Sequence, residues 1–287
     1  MIPPLPKGHP VPERTIVITG ASDGIGAAAA RSLQSLGNRV VVVGRSPEKT
    51  AAVARELGGA DYLLADFARL DDVRTLAATL LERYPRIDVL ANNAGGIMGR
   101  REETVDGHEK TLQVNHLAPF LLTTLLLDRL TESRATVINT SSAANSIFAR
   151  FDIDDLEARR RYSPNRAYGN AKLANILFTR ELDARYGTSG ISTAAFHPGG
   201  VATSFASEST SMMRLMYRTL LNRFLISPEQ GAETLVWLAT ATPEQDWQTG
   251  KYYYKCKISP ANKDAYDAAL SSRLWEESAR MVGLPAD

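Results

Sequence analysis

The sequence lacks the features by which several classes of protein are recognised. Cys256 is the only cysteine among 287 residues, which excludes an intrachain disulfide and a cysteine-based zinc cluster. The formal net charge is only +1, so we expect neither nucleic acid nor a membrane surface as a partner. The most apolar run, 117–127, is interrupted by Pro119 and two threonines and is shorter than the about 20 residues that span a bilayer. It predicts a buried helix instead.

The N-terminal stretch 1–13 is rich in proline and lacks the apolar segment of a secretory signal. We therefore expect an extended lead-in at this end of the chain. The lone cysteine suits a reducing compartment. Together these features predict a cytoplasmic protein.

The sequence does contain a regular alternation of two kinds of segment. Hydrophobic residues make up 44% of the chain and charged residues 23%, as in ordinary globular proteins. Short runs that are apolar along their length predict strands buried on both faces, at Thr15–Thr19, Arg39–Val43, Asp61–Ala65, Ile87–Ala91, Thr136–Thr140, Ser192–Phe196 and Lys251–Tyr254. Helical spacing is found between them, around Ile25–Leu36, Pro47–Leu57, Leu70–Tyr84, Gly107–Leu130, Asn165–Tyr186 and Pro228–Ala239. The alternation predicts an α/β fold: a single Rossmann-type doubly wound parallel sheet of about seven strands, with helices on both faces and 1–287 as one domain.

A glycine-rich stretch at 19–26, TGASDGIG, follows the first predicted strand and opens an alanine-rich helix. Gly20 permits a tight turn, and Gly24 lets the backbone approach a ligand without a Cβ in the way. Gly26 allows close packing of the helix on the strand, while the first helical N–H groups face an anion. This arrangement is typical of a site for a dinucleotide pyrophosphate, although an ordinary strand-to-helix turn is the alternative.

Tyr168 and Lys172 lie four residues apart in a segment with helical spacing. Residues i and i+4 share one face of a helix, so an ammonium and a phenol can meet there. The ammonium lowers the phenol pKa from about 10, which favours proton exchange at neutral pH. Tyr168 is therefore a candidate acid/base for interconversion of a hydroxyl and a carbonyl. A second match, Tyr253 and Lys257, is rejected because its extended segment would hold the two groups roughly 13 Å apart.

Two long segments should lie beyond the carboxyl ends of strands, where open α/β sheets bind ligands. The first is 143–164, an arginine-rich connection, and the second is 203–226. We expect the second to be a substrate lid, because mobile covers rich in methionine adapt to apolar ligands. The alternative is that its apolar side chains simply cover the core. The residues that predict an apolar substrate are Phe148, Phe151, Phe205, Met212, Met213 and Met216.

In sum these motifs resemble those of the short-chain dehydrogenase/reductase family, and most closely its retinol-dehydrogenase-like branch. The resemblance covers nearly the whole chain. It rests on Thr19–Gly26, Asn92-Asn93-Ala94-Gly95, Val114-Asn115-His116, Ser141-Ser142, Tyr168–Lys172 and His197-Pro198-Gly199. The branch is indicated by the run YGNAKLAN at 168–175, by LFTREL at 177–182 and by RLWE at 273–276.

The resemblance implies roles for particular residues. Tyr168 would be the general acid/base, Lys172 would lower its pKa and hold the nicotinamide ribose, and Ser142 would polarise the carbonyl. Asn115 would hold a water in the proton relay, and Asp66 would bind the adenine amine. The full set implied to bind the cofactor is Gly20, Ser22, Asp23, Gly24, Ile25, Gly26, Arg45, Asp66, Phe67, Asn93, Ala94, Gly95, Tyr168, Lys172, Pro198, Gly199, Val201 and Thr203. For Asn92 and Asn115 a purely structural role is the alternative, and His116 and His197 are predicted to be structural, with no metal site.

The end of the second strand bears on the choice of dinucleotide. Arg45 stands where an acidic residue would bind the ribose 2′-hydroxyl of NAD, and arginine accommodates a 2′-phosphate instead. The acidic residue Asp23, in the glycine loop, is evidence against binding of this 2′-phosphate. The balance favours NADP(H), with NAD(H) as the alternative.

The predicted function is therefore an NAD(P)(H)-dependent oxidoreductase acting on an apolar alcohol, aldehyde or ketone. A catalytically silent dinucleotide-sensing protein is one rival, because the fold alone does not determine function. An epimerase or dehydratase on the same scaffold is another. Family habit suggests a homodimer or homotetramer.

Overall fold

The computed structural model describes residues 13–200 and 226–285. Within these ranges eight strands form one sheet, in the order β3-β2-β1-β4-β5-β6-β7-β8. Neighbouring strands are parallel except for the β7–β8 pair. The strands are β1 (Thr15–Thr19), β2 (Arg39–Gly44), β3 (Tyr62–Leu64), β4 (Val89–Asn92), β5 (Thr136–Thr140), β6 (Ser192–Phe196), β7 (Lys251–Tyr254) and β8 (Lys257–Ile258).

Helices cover both faces of this sheet. They are α1 (Gly24–Ser35), α2 (Pro47–Glu56), α3 (Leu70–Arg83), α4 (Lys110–Leu112), a π-helical turn (Gln113–Leu117), α5 (Ala118–Leu125), α6 (Leu127–Ser133), α7 (Ala144–Ile147), α8 (Pro164–Tyr186), α9 (Pro228–Thr240) and α10 (Ala268–Met281). In the described ranges, 3₁₀ turns lie at Ile153–Asp155, Gly187–Ser189 and Lys263–Tyr266. None of the helices in the described ranges has the length and apolar character to cross a membrane.

The alternation of side chains along each buried strand divides the core into two layers. Ile16 and Ile18 of β1 point to the layer of α1, α2 and α9, whereas Val17 points to the layer of α3, α5, α8 and α10. Successive side chains of a strand face opposite sides of the sheet, and here both sides are apolar. This is why the strands read as continuous apolar runs in the sequence.

Strands β1 and β4 are neighbours at the centre of the sheet, where the strand order reverses. The connections on either side of this point leave in opposite directions, and a crevice opens outside the carboxyl ends of the two strands. The glycine-rich turn follows β1 and the run Asn93-Ala94-Gly95 follows β4. The fold thus brings the two loops to one crevice.

The predicted α/β class and doubly wound sheet are confirmed, and all seven predicted strands are present. One strand, β8, was not predicted, and it is the antiparallel edge of the sheet. The predicted helix 107–130 starts only at Lys110, because Gly107 forms a turn with φ of +83° and Glu109 caps the helix. It is also divided into α4, the π-helical turn, α5 and α6. Helix α10 was also missed.

Several sequence predictions fall outside the described residues. They include the lead-in up to residue 12 and the proposed lid up to residue 225. The individual residues are Val201, Thr203, Phe205, Met212, Met213 and Met216.

Candidate active site

The turn after β1 approaches the loop after β4 so closely that only glycine fits. Gly20 has φ of +65°, and a Cβ there would lie 2.7 Å from the Cα of Ala94. A Cβ on Gly26 would lie 2.3 Å from the carbonyl oxygen of Gly20. Gly24, at φ of +54°, opens α1. The backbone at this helix start therefore carries no Cβ at Gly24 or Gly26, and the first N–H groups of a helix have no intrahelical acceptor.

Asn93 holds this turn in place. Its Nδ2 donates to the carbonyl oxygens of Thr19, at 3.0 Å, and Gly20, at 3.3 Å. The hydroxyl of Thr19 in turn accepts from the backbone N–H groups of Asn93 and Ala94, both at 3.0 Å. The side-chain amide of Asn93 thus binds the backbone of the glycine-rich turn. Thr19 was not among the predicted site residues, although it belongs to the quoted motif.

An acidic and a basic residue meet at the start of α1. Asp23 Oδ1 accepts from the backbone N–H of Gly24 at 2.7 Å, and Lys49 Nζ lies 3.3 Å from Asp23 Oδ2. Lys49 is in the first turn of α2, which follows Arg45 at the end of β2. Arg45 is exposed. The negative charge of Asp23 therefore has a cationic partner, and sequence reasoning missed it because 26 residues separate the two.

The other residues predicted near the adenosine lie around the ends of β2 and β3. Ser22 is beside Gly44, since a Cβ on that glycine would lie 2.8 Å from the Ser22 Cβ. Ile25 is half-buried against the alanine-rich layer. Asp66 is half-buried and its Oδ1 accepts from the N–H of Ala68 at 3.0 Å. The ring of Phe67 is buried in the core, and its carbonyl oxygen accepts from Gln113 Nε2 at 3.3 Å.

Tyr168 and Lys172 lie in α8, and both are buried. Lys172 Nζ is 5.5 Å from the centroid of the Tyr168 ring and donates to the carbonyl oxygen of Thr140 at 3.1 Å. Burial lowers the pKa of Lys172 to about 7. The ammonium and the amine are thus both populated near neutral pH.

The two serines after β5 have different roles. Ser141 is buried, and its hydroxyl donates to the carbonyl oxygen of Lys172 at 2.7 Å. Ser142 is half-buried, and its Oγ accepts from the N–H of Ala144 at 3.2 Å, which leaves its own proton for another partner. Ser142 is therefore the serine whose hydroxyl proton is not committed to α8.

Helix α7, which begins after Ser142, packs directly on α8 beside Tyr168. A Cβ on Gly169 would lie 2.8 Å from the carbonyl oxygen of Ala144, so the two helices touch through this glycine. Ala144 packs with Tyr168 in a small apolar cluster. Asn170 Oδ1 accepts from the N–H of Arg150 at 2.8 Å and fixes the chain beyond α7. The two residues after Tyr168 thus set the distance between the serine and the tyrosine segments.

The buried side chain of Asn115 is fully engaged with backbone groups. Its Oδ1 accepts from the N–H of Gly96, and its Nδ2 donates to the carbonyl oxygens of Gly96 and Thr111, at 3.0, 3.0 and 2.9 Å. Asn115 lies in the π-helical turn, and Pro119 four residues later has no N–H to donate to the Asn115 carbonyl. The Asn115 amide is thus used within the protein, and its carbonyl cannot accept an α-helical bond from residue 119.

Gly95 joins Asn115 to Lys172. A Cβ on Gly95 would lie 2.4 Å from Asn115 Oδ1 and 3.1 Å from Lys172 Nζ. The absence of a side chain here lets the loop after β4, the π-helical turn and α8 converge. Tyr168, Lys172, Asn115 and Ser142 are thus carried by segments that meet at one end of the sheet.

The loop after β6 closes the same end. Gly199 has φ of +93°, and its N–H donates to Nδ1 of His197 at 3.3 Å. The His197 ring stacks on Tyr254 with centroids 4.1 Å apart, and burial lowers its pKa to about 4. His197 is thus a neutral ring that holds the loop, and the neighbouring Pro198 is half-buried.

The rejected pair Tyr253 and Lys257 does not form a second site, but the reason differs from the predicted one. Strand β7 ends at Tyr254, and the chain reverses at Lys255 and Cys256, which have φ of 49° and 59°. The pair therefore lies on two antiparallel strands. The Tyr253 hydroxyl is bonded to the carbonyl oxygen of Gln248 at 2.8 Å.

The arrangement fits a dinucleotide. The turn at Gly20 and Gly24 brings the start of α1 to the crevice without Cβ atoms at these positions, and Gly95, which also lacks a side chain, borders the buried Lys172. Tyr168, whose phenol can donate or accept a proton, lies on the same helix with its ring centroid 5.5 Å from this lysine.

Comparison with known families agrees with this chemistry. The profile described as short chain dehydrogenase matches residues 14–214. The chain belongs to the short chain dehydrogenase family. It is accordingly an NAD(P)-dependent oxidoreductase that acts on alcohol or carbonyl groups, as the resemblance implied.

Its relatives support the predicted branch. A protein of Streptomyces sp. (strain C5) assigned as daunorubicin C-13 ketoreductase DnrU is 47% identical, over 95% of this chain and 94% of that protein. Human retinol dehydrogenase 13 is 37% identical over 98% of this chain and 88% of that protein. An uncharacterised Mycobacterium paratuberculosis protein of known structure superposes with a TM-score of 0.76 at 32% identity, over 96% and 95% of the two chains. The complex of Pseudomonas aeruginosa RhlG with NADP gives 0.66 at 27% identity, over 83% and 93%.

Proposed function

We propose that this protein is an NADP(H)-dependent oxidoreductase that interconverts the carbonyl group of an apolar small molecule and the corresponding alcohol, with Tyr168 as general acid/base. The observation that carries the proposal is the placement of Tyr168 and Lys172. Both are buried on α8, and Nζ lies 5.5 Å from the phenol ring. Ser142 stands on the segment that packs against this part of α8.

The residues divide the chemistry between them. Ser142 donates a hydrogen bond to the substrate oxygen, and Tyr168 gives that oxygen a proton during reduction. NADPH supplies the hydride when it is bound. Lys172 in its ammonium form favours the phenolate and so lowers the pKa of Tyr168. The Asn115 carbonyl cannot accept an α-helical bond from residue 119, and we assign to it the water of the proton relay.

An apolar substrate is supported by two exposed side chains on the segment that follows Ser142. Ile147 is 60% exposed and Phe148 is 43% exposed. Large apolar side chains next to a reactive group indicate a surface that binds an apolar ligand. The names of the relatives refer to a ketone in one case and to retinol in the others. We therefore favour a bulky hydrophobic ketone or aldehyde over a small polar one.

The preference for NADP rests on Arg45 and Lys49. Arg45 is exposed at the end of β2, where a ribose 2′-phosphate is expected. Lys49 offsets the charge of Asp23, which was the argument for NAD. We predict that Arg45→Asp reverses the preference, measured as the ratio of kcat/KM with NADPH to that with NADH. An unchanged ratio would exclude Arg45 as the residue that binds the phosphate.

The experiment that tests the function is a turnover assay. Purified protein and its Tyr168→Phe variant are given NADPH and a panel of aldehydes and ketones graded in size and polarity. We expect hydrophobic carbonyls to be reduced by the wild type and not by the variant. NADPH binding without turnover of any carbonyl would favour a dinucleotide-sensing protein instead.

We also propose that the chain forms a single domain, because one sheet contains all the described strands between Thr15 and Ile258. The cysteine usage supports a cytoplasmic location. We also propose assembly as a homodimer or homotetramer, which light scattering on the purified protein would test.

A further inference from the structure

The carbonyl oxygen of Thr140, at the end of β5, accepts two hydrogen bonds from one face of α8. Lys172 Nζ donates to it at 3.1 Å, and Asn175 Nδ2 donates to it at 3.1 Å. A carbonyl oxygen has two lone pairs, and both are used here. Lys172 thus shares its hydrogen-bond acceptor with Asn175, a residue that the mechanism does not use.

Asn175 is held in turn by a buried histidine. His116 Nδ1 lies 3.3 Å from Asn175 Oδ1, and His116 Nε2 lies 2.9 Å from the hydroxyl of Ser278 on α10. All three side chains are buried. A continuous chain of bonds therefore runs from α10 through the π-helical turn and α8 to Lys172.

The direction of each bond in this chain follows from the chemistry of its ends. The Thr140 oxygen can only accept, so the Asn175 group that faces it is the NH₂ and the group that faces His116 is the oxygen. His116 must then donate from Nδ1. Burial lowers the pKa of His116 to about 4, so the ring is neutral and its Nε2 accepts from the Ser278 hydroxyl.

The ring is also fixed by packing. The Phe120 and Phe178 rings each lie 6.2 Å from it, centroid to centroid. Among the residues that the structure describes, Lys172 is the charged group that acts on His116, and Tyr168 lies beside the lysine. The bonds named above involve no carboxylate. The chain is therefore a neutral, water-excluded support on which the lysine is the one group that carries charge near neutral pH.

We propose that Ser278, His116 and Asn175 are positioning residues that fix Lys172 through the Thr140 carbonyl, so that helix α10 contributes to the geometry of the active site. The inference rests on the proposed function of Tyr168 and Lys172. If Asn175 loses its partner, its amide is free to turn, and the Thr140 carbonyl no longer defines one place for Nζ. Lys172 would then act less strongly on Tyr168.

The first test replaces the histidine. His116→Phe keeps an aromatic ring among Phe120 and Phe178 but can neither donate nor accept, whereas His116→Gln offers a donor and an acceptor. We expect His116→Phe to lower kcat for carbonyl reduction by about 10- to 100-fold. The alkaline limb of the rate profile, where Tyr168 loses its proton, should move up by about one pH unit. In His116→Gln, kcat and the position of the alkaline limb should both be close to the wild-type values.

The second test uses the same change at two buried serines. Ser278→Ala removes the far end of the chain, and Ser133→Ala removes a buried hydroxyl that accepts from the N–H of Ile87 near the start of β4. We expect both to lower thermal stability. Only Ser278→Ala should move the alkaline limb upward and lower kcat. Identical pH profiles for the two variants, or no shift in His116→Phe, would overturn the proposal.

A third measurement does not depend on turnover. The chain has four histidines, and nitrogen NMR of histidine-labelled protein distinguishes their tautomers, with His116→Gln to assign the signal. We expect His116 to be neutral with its proton on Nδ1 at about pH 6. A proton on Nε2, or a charged ring at that pH, would overturn the chain of bonds. Absence of turnover in the wild type, with this tautomer present, would instead count against the proposed function.

Discussion

Lys172→Met should make the protein more stable while it abolishes turnover. The pKa of Lys172 is about 7 in the folded protein, against 10.5 as its ordinary value, because the side chain is buried. One pH unit of pKa difference corresponds to about 1.4 kcal/mol, so the buried lysine costs about 4 kcal/mol at neutral pH. Methionine has a similar length and no charge, and it loses only one hydrogen bond, worth about 1 kcal/mol. We therefore expect the free energy of unfolding to rise by about 3 kcal/mol.

The pH dependence of stability gives this prediction a second readout. The unfolded chain binds the lysine proton up to about pH 10.5 and the folded chain only up to about pH 7, so the cost of burial is fully present below the lower value. Between the two values the stability of the wild type should gain up to about 1.4 kcal/mol per pH unit from this group. The variant should lack that gain.

Urea unfolding at several pH values would measure both effects. Lys257→Met, on the exposed β8 hairpin, is the matched control and should follow the wild type. A Lys172→Met protein that is less stable than the wild type, or that keeps its pH dependence, would refute the reasoning. In that case the ammonium would be solvated in the folded state.

Three other outcomes follow from the geometry of the site. Ser142→Ala should lower kcat by about 100- to 1,000-fold, because it removes a donor to the substrate oxygen. Ser141→Ala should instead act mainly on stability, which should fall by about 1–2 kcal/mol because the buried bond to the Lys172 carbonyl is lost. Parallel kinetics and melting curves separate them, and equal kinetic losses would contradict the assignment. Gly26→Ala should weaken NADPH binding, measured by fluorescence titration, because its Cβ would lie 2.3 Å from the Gly20 oxygen; an unchanged Kd would contradict the close approach.

Buried parallel strands were the most predictable part of the fold. Strands β1, β5, β6 and β7 have the predicted bounds, because each is an apolar run between polar turns. Strand β8 has only two residues and follows a turn of Lys255 and Cys256, which carries none of the glycine or asparagine signals of a hairpin. Local sequence could not reveal it.

Helix α10 was missed because its buried face is small. It buries Leu274 and Trp275 together with two serines and an alanine, so few large apolar residues mark its buried face in the sequence. The interruption of the predicted helix 107–130 has a visible cause in Pro119, which lies at the start of α5. The π-helical turn before it, in which Asn115 binds Gly96, was not predicted.

Within the site, the sequence motifs could not predict which atoms of a side chain are bonded within the protein. The amides of Asn93 and Asn115 bind backbone, which only the folded structure reveals. Contacts between segments distant in sequence, such as the ion pair of Asp23 with Lys49, could not be predicted. The link of Ser278 to His116 spans 162 residues and is of the same kind.

The central claim is that the protein transfers a hydride between NADPH and a carbonyl carbon while Tyr168 supplies the proton. Label transfer tests it most directly. The protein is incubated with NADPH deuterated at C4 of the nicotinamide and the best hydrophobic ketone of the panel, and the product is analysed by mass spectrometry. We predict an alcohol with deuterium on the carbinol carbon from the wild type, and none from Tyr168→Phe. Alcohol without deuterium, or labelled alcohol formed equally well by the variant, would contradict the account.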